Sequence, residues 1–342
     1  MKIPKLTIGN ITAKVPIIQG GMGVRISLSS LVSAVANQGG IGTIASVGLG
    51  DVELSKNDYE KQSQESLAAE IRKTKSLTDG HIAVNVMGVL SNSDILVRTA
   101  VEEGVKIIVF GAGLPGNLPK LVDDESVNLV PIVSSARAAA IILRIWDKRY
   151  QKVADAFILE GPLAGGHLGF SMEMLKEPEN YPLEKLLPET LEAVKEFEDK
   201  YGKKIPIIVA GGIFNGNDIA RMLRLGASGV QMATRFVCTP ECDASQEFKQ
   251  AYLEAREEDI VIIKSPAGLP GRAIRNKFLK DLEIKGKLKF KCPYRCLATC
   301  KIESARFCIA KALINSYLGN VDEGLIFAGK NAYRINNIQS VR

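Results

Sequence analysis

Short apolar runs rich in β-branched residues alternate with longer amphipathic stretches from the start of the chain to about residue 255. The runs read as strands at Pro16–Gln19, Gly42–Ala45, Ile82–Met87, Val105–Phe110, Leu129–Val133, Ala156–Leu159, Ile205–Ala210 and Gly229–Met232. Between them, apolar residues recur at helical spacing, as in Leu28–Gln38, Ser93–Glu103, Ala136–Lys148, Leu186–Lys200 and Asn217–Leu225. The strands are continuously apolar rather than alternating, which is what a parallel sheet needs once helices cover its outer face. Eight βα units in roughly 250 residues predict an α/β fold of the (β/α)8 TIM barrel type. A doubly wound open sheet is the competing arrangement.

Three segments depart from the repeat. Gly48–Glu65 reads as a polar insertion after the second strand, and Gly161–Pro182 as a long loop after the sixth. After Asp259 come a Gly/Pro segment (Ser265–Arg275), a basic stretch, a cysteine cluster and a final helix at Ile302–Leu318. Long loops of a barrel gather at its C-terminal mouth. The expected organisation is therefore a barrel over residues 1–258, with residues 259–342 as a partly helical extension packed on it.

Composition narrows the function classes. With 342 residues and 46% hydrophobic side chains, the chain can bury a large core without disulfides. The net charge of +6 is spread along the sequence, apart from a modest excess at Lys285, Lys287, Lys289, Lys291 and Arg295. No long basic run with interleaved aromatics appears, which argues against nucleic acid as a partner. Met1–Asn10 lacks the apolar stretch of a signal peptide, and no apolar run approaches the ~18 residues of a membrane span. Six cysteines without an export signal read as reduced thiols or metal ligands. The expectation is a cytoplasmic protein acting on a small molecule, without a membrane partner and compatible with a homo-oligomer.

Three motifs carry chemistry. In IPIIVAGGI (Ile205–Ile213) an apolar strand runs into Gly211 and Gly212 and then a helix, so that a phosphate can approach backbone N–H groups. The next strand, in GASGVQMATRF (Gly226–Phe236), ends in Gln231, Met232, Ala233 and Thr234. Two such ends on adjacent strands match the phosphate site that TIM barrels place after their last strands. Tight turns without a ligand are the alternative.

The second motif, IIQGGMG (Ile17–Gly23), ends a strand in Gly20, Gly21 and Met22, where a flat ring can lie against backbone. Asn85, at the end of the third strand, offers an amide that both donates and accepts, as a flavin pyrimidine edge requires, or caps a turn. The third motif is LEGPLAGGHLGF (Leu159–Phe170), containing Glu160, Gly165, Gly166 and His167. Of the two histidines, His81 lies in a polar turn and reads as solvated. His167 follows glycines at the end of the sixth strand, and is the candidate for catalytic proton transfer. Glu160 either holds a cofactor hydroxyl or the substrate, or caps the next turn.

Through these elements, together with FGAG (Phe110–Gly113) and SPAGLPGRAIRNKF (Ser265–Phe278), the chain resembles the nitronate monooxygenase (2-nitropropane dioxygenase) family over about residues 15–280. That family shares its fold with flavin-dependent enoyl-acyl-carrier-protein reductases. The resemblance implies non-covalent FMN, with Gly20, Gly21, Met22 and Asn85 against its ring. Gly211, Gly212, Ala233 and Thr234 would hold the phosphate with Gln231 nearby, and His167 matches the family's active-site histidine. It implies oxidation of alkyl nitronates with O2, or an NAD(P)H-dependent enoyl or quinone reductase; Glu160 matches the acyl reductases. A non-catalytic barrel binding a phosphorylated ligand is the reading from another class.

Cys292, Cys296, Cys300 and Cys308 fall in CPYRCLATCKIESARFC. On a helix the first three would form one stripe, although Pro293 argues for a loop. Four cysteines suit a zinc or iron–sulfur site, or are simply buried thiols. Cys238 and Cys242, flanking Pro240, read as structural.

Overall fold

The computed structural model describes residues 3–51 and 54–342. A hairpin of β1 (Leu6–Ile8) and β2 (Ile11–Ala13) opens the chain, followed by β3 (Ile17–Gln19), α1 (Ser29–Asn37), β4 (Gly42–Ala45) and α2 (Lys56–Leu77). Next come β5 (Ile82–Met87), α3 (Ser93–Glu102), β6 (Ile107–Gly111), β7 (Asn128–Val133), α4 (Ala136–Tyr150) and β8 (Phe157–Glu160). A two-residue strand β9 (Gly166–His167) precedes α5 (Leu183–Tyr201), β10 (Ile207–Ala210), α6 (Gly216–Arg224), β11 (Gly229–Met232), α7 (Thr234–Val237) and α8 (Gln246–Glu254). The chain ends with β12 (Ile260–Lys264), β13 (Pro270–Ile274), α9 (Lys277–Lys285) and α10 (Ile309–Tyr317).

Eight strands form one parallel sheet in the order β3-β11-β10-β8-β7-β6-β5-β4. Parallel bonds between its two end strands, Gln19 N–H to Ile41 O at 2.9 Å and Ile41 N–H to Ile17 O at 3.0 Å, close the sheet into a TIM barrel. The eight strands are those read from the sequence, with ends shifted by a residue or two. The repeat is less regular than predicted: β6 is followed by a single 3-10 turn, Leu118–Lys120, in place of a helix.

Side chains alternate between barrel interior and helix layer, and this alternation aims the site. Ile18, Ile41, Ala83, Ile107, Val130, Ala156, Ile158 and Ile208 share an interior cluster with Leu6 and Ile8 of the hairpin, which stops the barrel's N-terminal end. Two residues further along the same strands, the inward positions are Gly20, Asn85, Glu160, Ala210 and, on β11, Gln231; all of them open onto the C-terminal mouth. The period of two thus points the polar side chains of Asn85, Glu160 and Gln231 into one space.

Two readings are corrected here. The supposed polar insertion is mostly the long helix α2, which buries Tyr59, Ser63, Leu67, Ile71 and Thr74 along one face; Val52 and Glu53 of that segment lie outside the described residues. The final helix starts at Cys308 as its N-cap, not at Ile302. Residues 302–307 are held otherwise: Arg306 donates to the carbonyls of Gly286 (2.6 Å) and Leu282 (2.9 Å), and Phe307 packs edge-on against Phe278 of α9.

The residues after Asp259 pack on the mouth. β12, β13 and β9 form a small antiparallel sheet in which Gly271 pairs with His167 and Arg272 with Gly166. No helix among the described residues is long and apolar enough to cross a membrane.

Candidate active site

One cavity at the barrel mouth is lined by every residue that the three sequence motifs and Asn85 offer for a cofactor or for catalysis: Gly20, Gly21, Met22, Asn85, Glu160, Gly165, Gly166, His167, Gly211, Gly212, Gln231, Met232, Ala233 and Thr234. Five chain segments distant in sequence meet there because their strands surround the same barrel mouth.

The glycines are required by close packing. A Cβ on Gly21 would lie 2.5 Å from the Asn85 Cβ, so this loop can pass over Asn85 only as glycine. Gly211 and Gly212 both have left-handed backbone, with φ of 91° and 84°. A Cβ on Gly211 would also meet the Gly161 carbonyl at 2.8 Å and the Ala164 nitrogen at 3.0 Å. The loop then enters α6 through a capping box: Asn215 accepts from the Asn217 and Asp218 N–H groups, and Asp218 accepts from the Asn215 N–H. Asn215→Ala is expected to cost about 1 kcal/mol of stability in denaturant unfolding.

Gln231 supplies the clearest sign of a missing ligand. Its Oε1 atom is buried and has no hydrogen-bond partner, while its side chain packs against Gly20 at the cavity wall. A buried unpaired acceptor is costly unless something else pairs with it. A ring N–H of a bound cofactor fits that need.

His167 is fixed from three sides. Its Nε2 lies 2.7 Å from Ser265 Oγ, its ring meets Phe327 edge-on at 5.0 Å, and its backbone is held in the β9–β13 pairing. Ser265 Oγ also accepts from the Ala267 N–H at 3.1 Å. Its hydroxyl proton can therefore go to Nε2, leaving Nδ1 as the protonated ring nitrogen. Burial pushes the imidazole down to about 4, so it is neutral near pH 7.

Glu160 shifts in the other direction. Burial pushes its carboxyl up to about 8, against the pull of the Arg272 charge. Arg272 is itself buried and donates to the carbonyls of Pro162 (2.7 Å) and Ala164, which fixes the loop that carries His167. The mouth thus holds a neutral histidine and a protonated carboxyl at neutral pH.

Several residues that line or brace the site are not among those expected from the sequence. Ser265 braces His167 from within SPAGLPGRAIRNKF. Phe327, Ala328 and Gly329 come from the extension. A Cβ on Gly165 would lie 2.5 Å from Ala328 backbone, and one on Gly329 would lie 2.7 Å from Thr234 Oγ1. Asn331 donates to the Gly212 carbonyl at 2.8 Å. The small and amide residues of FAGKN were the available signal. Tyr59 reaches the cavity from α2.

The cysteines also differ from their expected arrangement. Residues 292–300 are not helical, because the chain there runs beside the loop after β5: Ser91 N–H bonds to Cys296 O at 3.0 Å, and Ala298 N–H to Val89 O at 2.9 Å. Among the described residues, no three His, Cys, Asp or Glu side chains converge closely enough to hold a single metal ion. That removes a preformed zinc site. Cys238 and Cys242 are buried free thiols.

Left-handed glycine turns at the rim, a buried unpaired acceptor on the wall and two uncharged proton-handling groups inside make a barrel mouth of the kind that cofactor-dependent TIM-barrel proteins use. The chain is a member of the nitronate monooxygenase family, whose sequence model matches residues 5–342. It is 31% identical over 268 residues to the (3aS,4S,5R,7aS)-5-hydroxy-7a-methyl-1-oxo-octahydro-1H-indene-4-carboxyl-CoA dehydrogenase of Mycobacterium tuberculosis, covering 78% of this chain but only 65% of that relative. It is 25% identical over 295 residues to a probable nitronate monooxygenase of Staphylococcus aureus, covering 78% of this chain and 77% of that protein. The solved structure of FabK from Thermotoga maritima superposes with a TM-score of 0.74 at 26% identity, covering 96% of this chain and 89% of that one. The chain spans a little under two thirds of the length of the two carboxyl-CoA dehydrogenases it matches.

Proposed function

We propose that the protein is an FMN-dependent oxidoreductase that reduces an unsaturated acyl thioester with electrons from NADH or NADPH. The observation carrying this reading is Glu160, a carboxyl that keeps its proton up to about pH 8 and opens onto the same cavity as His167. Hydride addition to a conjugated thioester leaves an enolate that needs a proton, and a protonated carboxyl is a donor matched to neutral pH. Two relatives support the substrate class: one is named as a carboxyl-CoA dehydrogenase and one is the enoyl-ACP reductase FabK.

FMN, when bound, supplies hydride exchange with nicotinamide and substrate. Gly20, Gly21 and Met22 would flank its ring, and Asn85 and the free acceptor of Gln231 would meet its polar edge. The Gly211–Gly212 and Ala233–Thr234 turns would hold its phosphate. Glu160 would give a proton to the reduced product, and neutral His167 would donate a hydrogen bond to the thioester oxygen as charge develops there.

Oxidation of an alkyl nitronate by O2 is the second reading, favoured by the family match and the staphylococcal relative. A nitronate arrives already deprotonated and leaves Glu160 without a task. Anaerobic NADH or NADPH should bleach the flavin, and crotonyl-CoA should restore it. Bleaching only by propionate 3-nitronate would move the assignment to the second reading.

Ser265→Ala is expected to lower kcat several-fold at unchanged flavin content, because His167 keeps its place in β9 but loses the partner at Nε2. Ser265→Thr, which keeps the hydroxyl, should restore most of it. Equal kcat in all three proteins would remove Ser265 from the site.

A further inference from the structure

The four clustered cysteines have no role in the barrel cavity's chemistry, yet the fold brings all of them to a second cavity. Cys292, Cys296, Cys300 and Cys308 line one space of about 450 Å³ between the extension and the loops after β4 and β5. Cys296 lies on the wall shared by both cavities. We infer that this second cavity is a binding site for a [4Fe–4S] cluster, with the four cysteine sulfurs as its ligands.

Three observations carry the inference. All four cysteines border the same space. A single ion requires sulfurs about 2.3 Å from one centre, and no such convergence exists among the described residues. A cubane spreads its ligands around a larger body, and the cavity is many times the ~30 Å³ share of one water. Mutual proximity without convergence is the arrangement a cluster needs and a zinc ion does not.

Backbone and charge around the sulfurs fit the same ligand. The backbone N–H groups of Tyr294 and Arg295 lie beside the Cys292 sulfur, and N–H donors to sulfur stabilise and tune cluster thiolates. Arg295 adopts left-handed backbone, with φ of 46°, to make that turn between Cys292 and Cys296. Tyr294 OH lies 2.9 Å from the Cys308 sulfur, and its ring packs on Tyr59, which lines the barrel cavity. Four thiolates around a 2+ core carry a net charge of two minus. The cavity wall answers with Lys56 and Arg295, against one carboxylate, Glu303.

The position gives the site its meaning. Cys296, Leu297 and Ile309 line both cavities, so a one-electron centre would stand directly against the barrel mouth. That consequence rests on the flavin reading; cluster binding does not.

The test uses the full-length chain purified without oxygen, before and after incubation with ferrous iron and sulfide. Iron, acid-labile sulfide, zinc and flavin are measured on the same sample. The expected content is about four iron and four sulfide per chain, with a broad visible band that dithionite bleaches and an electron paramagnetic signal in the reduced protein. Cys300→Ala and Cys308→Ala should each lose the band and most of the iron while keeping the circular dichroism of the parent. Absence of iron after reconstitution, zinc in its place, or iron unaffected by both substitutions would overturn the site. Iron without flavin would leave the site standing and overturn only the flavin reading.

Discussion

Replacing Glu160 with glutamine should lower turnover by about 10²–10⁴-fold with FMN still bound, because glutamine keeps the size and polarity of the side chain and removes only the transferable proton. The pH profile sharpens this expectation. The carboxyl is raised to about 8, so kcat/KM of the parent should fall as pH climbs through that value. The residual activity of the glutamine variant should lack that alkaline limb. Stability should move in the opposite direction. Between the ordinary carboxyl value of 4.5 and about 8, the folded protein holds a proton that the unfolded chain has released. The parent therefore loses stability as pH rises through that window, and the variant does not. A protein less active yet more stable at pH 8 is the signature of a strained functional group. An inactive and destabilised variant would instead make Glu160 a structural residue.

Gly211→Ala carries the second large effect. At φ of 91° an alanine pays about 1–2 kcal/mol in backbone strain. Its methyl would also press on the Gly161 carbonyl and Ala164 nitrogen at 2.8 and 3.0 Å, which adds about 1–3 kcal/mol of overpacking. Denaturant unfolding of the apoprotein should register a loss of about 2–5 kcal/mol. The displaced segment, Gly161 to Ala164, is the one that Arg272 anchors and that leads to His167. The variant should therefore purify with little flavin and regain activity only at much higher FMN concentration. Full flavin content and parental stability would show that this turn does not bear on the cofactor.

His167 should behave differently from both. Its folded value, lowered to about 4 from 6.5, makes the folded protein the poorer proton binder between those values. The histidine therefore contributes a loss of stability as pH falls through that window. Substitution by alanine should soften this acid sensitivity, keep FMN and impair turnover.

How far the sequence could be read follows from which interactions were local. Barrel strands were legible because a buried parallel strand is a run of β-branched residues, and Ile205–Ala210 or Ile82–Met87 cannot easily be anything else. The glycine turns were legible for the same local reason: strand, Gly-Gly, helix. Helix α2 was not, because its buried face uses Tyr59, Ser63 and Thr74 along with Leu67 and Ile71, which leaves too weak an apolar stripe. Ser265, Phe327 and Gly329 reach the site only through the β9–β13 pairing and the chain beyond it, contacts spanning roughly 100 residues or more that no local pattern encodes. The cysteines showed the complementary failure. Their spacing was visible but left helix and loop open; the pairing of Leu297 with Leu90 takes this stretch out of any helix, as Pro293 suggested for its start.

The central claim is a flavin in the barrel mouth, and the most direct measurement is the absorbance spectrum of the purified chain, followed by heat release and chromatography of whatever it carries. The account predicts flavin bands, about one FMN per chain after saturation with added cofactor, and no flavin bound covalently after denaturation. A colourless chain that takes up no FMN, or one whose released flavin is exclusively FAD, would contradict it.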